Sequence, residues 1–198
     1  MLKAKMAVVA LSVMLSVAAA QAGIIVTIPD VEVDEAAASG TVTVTVTVDG
    51  SYDLDAYSLQ IDLTGRSGAN KLVLTDAAAA ASDYLLAGVN SGWTNATLED
   101  TTVYGDDGAD PTPQTVADAT KKLITLTFDP NGAAEGDVYD LAFDTDTQGR
   151  SGFIAIDGAP SEVDDVTWND GTITVVPEPA TLCVLGLGGL GVLLRRRR

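Results

Sequence analysis

The sequence predicts an all-β domain, an antiparallel β-sandwich of about nine strands. Short segments in which apolar and polar residues alternate recur between Gly23 and Val176. Turn residues (Gly, Asp, Asn and Pro) separate these segments. Helical segments do not alternate with the strands, as they would in a parallel α/β sheet. These three observations favour a sandwich over any mixed fold.

The two most regular predicted strands are 41–48 and 57–63. The first alternates threonine and valine, so its valines share one face and its threonines the other. Such a threonine array would form an ice-binding or polysaccharide-binding face only if neighbouring strands repeated it, so we expect an ordinary polar outer face. The alanine-rich segment 76–86 predicts one short helix. The other predicted strands are 24–28, 72–75, 96–104, 122–128, 138–143, 153–156 and 171–176.

Composition excludes most enzyme classes. The 198 residues include no histidine and a single cysteine, Cys183. Ser-His-Asp and Cys-His sites, histidine-ligated zinc and a disulfide framework are therefore excluded. Residues 23–176 contain five cationic and 27 acidic residues, a formal charge of −22. A surface of that sign repels nucleic-acid phosphates and favours cations or partners with a basic face.

The N-terminus predicts a secretory signal peptide over residues 1–22. Two lysines precede an apolar run of 14 residues at 6–19, and Ala20 and Ala22 provide a small-residue cleavage site. We expect signal peptidase to cut before Gly23. A retained membrane anchor is the alternative, but a spanning helix needs about 20 apolar residues.

The C-terminus, residues 177–198, consists of three parts. Pro177, Glu178 and Pro179 precede a glycine-rich apolar run at 180–194, which predicts a short helix of roughly 22 Å. That length falls short of the roughly 30 Å hydrocarbon core of a bilayer. The chain ends in a cationic cluster that should stay on the cytoplasmic side of the membrane. The cluster consists of Arg195, Arg196, Arg197 and Arg198.

This ending resembles the PEP-CTERM sorting signal, which occurs on exported proteins of Gram-negative bacteria that make extracellular polysaccharide. The resemblance implies transient insertion into the inner membrane and recognition by a membrane-embedded exosortase. It also implies removal of the tail near Pro177, Glu178 and Pro179, and delivery to the cell surface or extracellular matrix. An ordinary single-span membrane anchor is the alternative.

The body, 23–176, resembles cohesin-like β-sandwich modules. The runs that carry this resemblance are GTVTVTV from Gly40, LDAYSLQI from Leu54, KLITLTF from Lys122 and GTITV from Gly171. The resemblance implies a nine-stranded jelly roll and, because cohesins bind dockerins, a dockerin-like module as partner. Polysaccharide is the other candidate ligand, because a solvent-exposed tryptophan can stack on a sugar ring.

Four sets of residues are candidates for binding or chemistry. Asp144, Asp146 and Gln148 have the spacing of oxygen ligands in a calcium loop, and the alternative is a solvated acidic turn. The acidic run 105–110 could hold a cation in a loop in the same way. Trp93 and Trp168 could stack on sugars or lie at the edge of the core. An Asp/Glu pair could serve a small secreted carbohydrate-active hydrolase, the alternative to a non-catalytic binding protein.

Overall fold

One 26-residue strand, β3 (Gly40–Gly65), runs through both sheets of the sandwich. The computed structural model describes residues 23–66, 71–130, 132–145, 151–156 and 160–177. Those ranges contain twelve strands and no helix. The other strands are β1 (Gly23–Thr27), β2 (Val31–Asp34), β4 (Val73–Ala79), β5 (Thr94–Glu99), β6 (Thr102–Gly108), β7 (Gln114–Asp129), β8 (Val138–Phe143), β9 (Gly152–Ile156), β10 (Pro160–Glu162), β11 (Val166–Asn169) and β12 (Gly171–Val176).

The two halves of β3 belong to different sheets. In the first sheet the strand order is β11-β1-β3-β7-β4. In the second the order is β5-β6-β3-β8-β12-β2. The strand β9 pairs with residues 54–58 of β3, just before the residues that pair with β8, and β10 pairs with β9. Only β1 with β11 and β12 with β2 are parallel among the described pairs. The predicted antiparallel sandwich is confirmed, with these two parallel pairs added.

A bulge at Gly50 marks the point where β3 passes from one sheet to the other. The pairing of β3 with β7 shifts register between Val48 and Ser51. Gly50 has a φ of 96°, a conformation that favours glycine, and its N–H donates to Oδ1 of Asp118 at 2.9 Å. Bulges bend a strand and increase its twist, so this one lets a single strand contribute to both layers.

The core follows the predicted alternation. Val42, Val44, Val46 and Val48 are at most 1% exposed and face inward from the first sheet. From the second sheet, Leu59, Ile61 and Leu63 face them across the sandwich and are at most 2% exposed. Burying these side chains supplies the main stabilisation of a domain that has no described helix.

The helix predicted for 76–86 is wrong. Val73–Ala79 forms β4, an edge strand paired with β7, and the residues that follow form turns and an isolated bridge between Tyr84 and Lys122. Ala77 is 2% exposed and packs in the core. Pairing with a long neighbouring strand outweighs the helix propensity of alanine, which amounts to tenths of a kcal/mol per residue.

Several predicted strand boundaries are also corrected. Residues 41–48 and 57–63 form one strand rather than two, and 96–104 divides into the hairpin of β5 and β6. The short strands β2, β10 and β11 were not predicted. Each has three or four residues, too few for alternation to be recognised in the sequence.

Candidate functional site

The second half of β3 presents an outer face rich in polar and acidic side chains. Because Leu59, Ile61 and Leu63 point into the core, the alternate residues Ser58, Gln60 and Asp62 lie on the opposite side of the strand, as the sequence predicts. Contacts with Ser151 and Asp144 leave Gln60 only 7% exposed. On β6, Asp106 lies opposite Ser58, Tyr104 opposite Gln60 and Thr102 opposite Asp62. On β9, Ile154 lies opposite Ala56. We define the acidic face as Ala56, Ser58, Gln60, Asp62, Thr102, Tyr104, Asp106 and Ile154.

Hydrogen bonds hold the carboxylates at the centre of this face. Oγ1 of Thr102 donates to Oδ1 of Asp62 at 2.8 Å. Nε2 of Gln60 donates to Oδ2 of Asp144 at 3.0 Å and lies 3.4 Å from Oδ2 of Asp62. These donors are neutral, so they fix the position of Asp62 without cancelling its charge. The face is therefore suited to a partner that brings cations.

One apolar side chain interrupts the acidic face. Ile154 is 41% exposed, among the most exposed of the large apolar residues that the structure describes. Its neighbour Phe153 is fully buried, which fixes the direction of the Ile154 side chain. An apolar anchor surrounded by polar groups is a common arrangement at protein–protein interfaces.

A cation neutralises the end of the second sheet near β8. The guanidinium of Arg66 donates to Asp140 from Nη2 at 2.6 Å and from Nε at 3.0 Å. Hydrogen bonds from Arg66 hold the pKa of the Asp140 carboxyl below its usual value. Asp140 lies opposite Thr64, the last outward residue of β3 before Gly65. Among the described residues, Asp62 and Asp106 have no such ion pair with a lysine or arginine.

The acidic run 105–110, a candidate cation-binding loop, lies mostly in a strand. Its first four residues belong to β6, and Asp107 is 1% exposed. The Asp107 carboxylate accepts hydrogen bonds from the Tyr84 hydroxyl, from Oγ of Ser91 at 3.2 Å and from the N–H of Gly92 at 2.9 Å. Strand alternation places Asp107 inward beside exposed Asp106. Its role is to anchor the segment between β4 and β5. The sequence pattern did not predict this role.

Two tyrosines next to Asp107 are held in the neutral form. The hydroxyls of Tyr57 and Tyr84 are 2.8 Å apart, and Tyr84 also donates to Asp107. Burial raises the pKa of both Tyr57 and Tyr84 above the usual 10.0, and the Asp107 carboxylate adds to the shift. Because both hydroxyls have partners inside the fold, they stabilise the structure while they remain protonated.

The two tryptophans pack against aromatic core residues. The Trp93 ring stacks on Tyr57 with centroids 5.9 Å apart. The Trp168 ring lies 6.0 Å from Phe153 and 4.9 Å from Phe143. Both tryptophans are partly buried against the core. One ring face of each is therefore occupied within the domain, and the stacking of either one on a sugar stays a prediction.

The structure describes only one of the three predicted calcium ligands. Asp144 follows β8, and its N–H donates to the carbonyl of Gln60 at 3.0 Å. Asp146 and Gln148 lie outside the described residues. Within the described part of the chain, His, Cys, Asp and Glu side chains form no group of three that could hold a metal ion. Calcium binding at Asp144, Asp146 and Gln148 stays a prediction.

The C-terminal sequence gives the first match to a known family. Residues 175–198 match the model of the PEP-CTERM protein-sorting motif. The chain carries a PEP-CTERM signal. The signal indicates an exported protein that an exosortase sorts to the cell surface. No curated protein sequence matches the chain.

The structure describes the beginning of the PEP-CTERM signal and no more. Residues 171–176 form β12, which is paired with β8 and β2, and Pro177 follows it directly. Glu178, Pro179 and the four arginines at 195–198 lie outside the described residues, as do Ala20 and Ala22 of the predicted signal peptide. Among the described segments, none is a helix with the length and hydropathy needed to cross a membrane.

The solved structures that resemble this fold are cohesins. One is the seventh ScaB type I cohesin from Pseudobacteroides cellulosolvens, with 15% identity and a TM-score of 0.61, over 78% of this chain and 93% of that one. Another is the third ScaC cohesin from Acetivibrio cellulolyticus, solved with the ScaB dockerin. It has 18% identity and a TM-score of 0.57, over 77% of this chain and 99% of that one. A third is the non-cellulosomal cohesin from Archaeoglobus fulgidus, with 13% identity and a TM-score of 0.54, over 81% of this chain and 96% of that one. The exported domain is a cohesin-like β-sandwich, as the sequence predicts.

Proposed function

We propose that this protein is a non-catalytic surface or matrix protein whose cohesin-like domain binds a protein module through the acidic face. The observation that carries the proposal is Ile154, a half-exposed apolar side chain on the same sheet face as Asp62 and Asp106, neither of which forms an ion pair with another described residue. A module with a basic rim and an apolar pocket would complement this arrangement.

A dockerin-like module is the partner that we favour. The ScaC cohesin from Acetivibrio cellulolyticus was solved with a dockerin, and so were other cohesins that share this fold. The acidic face extends over β6, β3 and β9, which fits a folded module better than a small molecule. Polysaccharide bound to the same face is the alternative, and the experiment below distinguishes the two.

The arrangement of carboxylates supports binding rather than hydrolysis. Glycoside hydrolysis needs two carboxyl groups on opposite sides of a bound sugar. Asp62 and Asp144 instead share one donor, Gln60, along a single sheet face. The domain therefore acts as a binding module, and a small secreted carbohydrate-active hydrolase is the second candidate.

The proposed location is the cell surface or extracellular matrix of a Gram-negative bacterium. Signal peptidase removes residues 1–22, the apolar tail inserts transiently into the inner membrane, and an exosortase processes it. The high negative charge of the body, −22 over residues 23–176, keeps the domain soluble and prevents adsorption to anionic polymers after release.

Binding of the purified exported protein to a panel of dockerin modules and to a glycan array tests the proposal. We expect a dockerin module to bind, and Ile154→Asp to weaken that binding at least tenfold by placing a charge in the apolar contact. Ile25→Asp is the matched control, because Ile25 is 40% exposed but lies on the first sheet. It should leave module binding unchanged.

Two results would contradict module binding at the acidic face. The first is a panel in which no module binds. The second is an Ile154→Asp variant that binds a module as tightly as the wild type. A glycan that binds the wild type but does not bind the Ile154→Asp variant would assign the face to polysaccharide instead.

A further inference from the structure

The outer face of the first sheet carries threonines on four adjacent strands. The threonines of β3 alone would be an ordinary polar edge, but the strand register places others beside them. Thr43 lies opposite Thr125, Thr41 opposite Thr127, and Thr47 opposite Thr120 on β7. We define the threonine face by its nine threonines, Thr27, Thr41, Thr43, Thr45, Thr47, Thr120, Thr125, Thr127 and Thr167.

Hydrogen bonds between strands orient these hydroxyls. Oγ1 of Thr43 lies 3.1 Å from Oγ1 of Thr125, and Oγ1 of Thr47 lies 3.0 Å from Oγ1 of Thr120. Each pair uses one O–H as a donor, so the second O–H and several lone pairs remain for a ligand. Methyl groups and the side chain of Ile25 lie between the hydroxyls. The face therefore combines fixed donors and acceptors with small apolar patches.

The threonine face is nearly free of charge in a strongly acidic domain. Lys122, opposite Thr45, is the charged residue within the described array. Asp49 and Asp129 lie at the ends of their pairings, and Asp76, on the edge strand β4, lies opposite Thr127 at the border of the face. Residues 23–176 carry 27 acidic side chains, so most of them lie elsewhere. A ligand for this face gains hydrogen bonds without needing to neutralise carboxylates.

We propose that the threonine face binds a neutral polysaccharide. Sugars present hydroxyls and C–H groups side by side, which matches a surface of hydroxyls and methyl groups. The charge of −22 over residues 23–176 repels an anionic polymer. This site is on the opposite sheet from the acidic face and does not depend on the function proposed for that face.

The size of the face disfavours a protein partner or a second copy. Six residue steps along β3, from Thr41 to Thr47, span roughly 20 Å, and four strands span roughly 14 Å, so the array covers about 280 Å². A stable protein interface buries about 800 Å² on each partner. A larger contact would bring the acidic rims of two copies together. A linear sugar chain needs no such area.

An irregularity in the array disfavours ice as its ligand. A bulge shifts the register between Thr43 and Thr45, so Thr45 faces Lys122 instead of another threonine. This interruption breaks the even spacing that a crystal lattice would need, whereas a flexible polymer can adapt to it.

Affinity electrophoresis of the purified exported protein tests the proposal, with gels containing hydroxyethylcellulose, dextran or mixed-linkage glucan as neutral polymers and alginate as the anionic one. We expect at least one neutral polymer to retard the wild type and alginate to have no effect. Thr43→Val with Thr125→Val should weaken retardation about tenfold, because both hydroxyls are lost while shape is kept. Replacing both members of a bonded pair leaves neither hydroxyl unpaired, so the fold should be retained, and the melting temperature checks this.

Thr64→Val with Thr97→Val is the matched control, because both threonines lie on the second sheet. This double variant should be retarded like the wild type, and so should Ile154→Asp. The proposal is overturned if no neutral polymer binds, if alginate alone binds, or if the Thr43 and Thr125 variant is retarded normally. Thermal hysteresis would assign the face to ice, and a dimer dissociated by the same variant would assign it to a second copy; either result overturns the proposal.

Discussion

Asp107 shows how a single buried carboxylate can organise a long connection. Two of its donors, Ser91 and Gly92, lie just before β5, and a third, Tyr84, lies in the turns after β4. The N–H of Gly108 donates to it as well, at 2.8 Å. Satisfied by several donors, the carboxylate stabilises the fold; without them its burial would cost several kcal/mol.

Asp107→Ala should lower the free energy of unfolding by about 3 kcal/mol, because it leaves several buried donors without an acceptor. Asp106→Ala provides the control, since Asp106 is the exposed neighbour on the same strand and should change stability by less than about 0.5 kcal/mol. Urea denaturation measures both. Equal stability of the two variants would contradict the anchoring role of Asp107.

The two buried tyrosines predict a loss of stability at alkaline pH. Burial raises the folded-state pKa of Tyr57 and Tyr84 above 10.0, the value expected in the unfolded chain. Their contribution is therefore complete below about pH 10 and declines as the pH rises toward the folded-state values. For a group that stays protonated in the fold, the free energy of unfolding falls by up to about 1.4 kcal/mol per pH unit.

Urea denaturation at pH 8, 10 and 11 measures this loss, and Tyr84→Phe should make the decline above pH 10 shallower. Circular dichroism at each pH confirms that the unfolding transition begins from the folded state. Stability that stays constant from pH 8 to pH 11 would show that these tyrosines ionise normally.

At the scale of elements, the hairpin of β5 and β6 depends on a glycine. A Cβ atom on Gly105 would lie 2.5 Å from Cζ2 of Trp93 and even closer to the carbonyl oxygen of Thr94. The ring of Trp93, which stacks on Tyr57, therefore lies directly over the Gly105 backbone. The absence of a side chain at this position is what allows the tryptophan to reach the core.

Gly105→Ala should destabilise the domain by about 1–3 kcal/mol, because the new methyl group must displace Trp93 or the strand. Tryptophan fluorescence should shift to longer wavelength as the Trp93 ring becomes more exposed. Gly108→Ala is the control. Gly108 lies on the same strand, and the atom nearest to a new Cβ there is 3.6 Å away, so this substitution should be tolerated. A Gly105→Ala protein with wild-type fluorescence and stability would contradict the packing described.

Alternation predicted which element faces are buried but not where elements end. The inward valines of β3 follow from a period of two, which is a local property of the sequence. The strand conformation of the alanines in β4 does not follow from a local property, because local propensity favours a helix there. Only pairing with β7 makes this segment a strand. Likewise, the threonine face depends on which residues of β7 lie opposite β3.

At the scale of the whole molecule, export and domain structure meet at Val176. The last strand, β12, ends at Val176, and the PEP-CTERM match begins at residue 175. Two prolines lie in the next three positions, and because proline favours extended backbone in the residue before it, we expect an extended, accessible segment between the strand and the apolar tail. A processing enzyme could cut there without unfolding β12.

Replacing Pro177, Glu178 and Pro179 together with alanine should retain the uncleaved protein in the inner membrane, because an exosortase would no longer recognise the segment. The wild-type protein should lose the apolar tail and reach the surface or matrix. Mass spectrometry of the surface fraction decides the outcome. Peptides that contain Leu182 to Leu194 in the mature wild-type protein would identify an ordinary anchor instead.

The sequence by itself determined the PEP-CTERM sorting signal, the all-β class and the inward faces of the long strands. These features depend on neighbouring residues alone: a sorting signal is a linear segment, and alternation along a strand has a fixed period. Only the tertiary structure decided that Asp107 is buried, that 73–79 is a strand and that threonines from four strands form one surface. Each of these depends on register between segments far apart in the chain, which strand pairing sets and local composition does not.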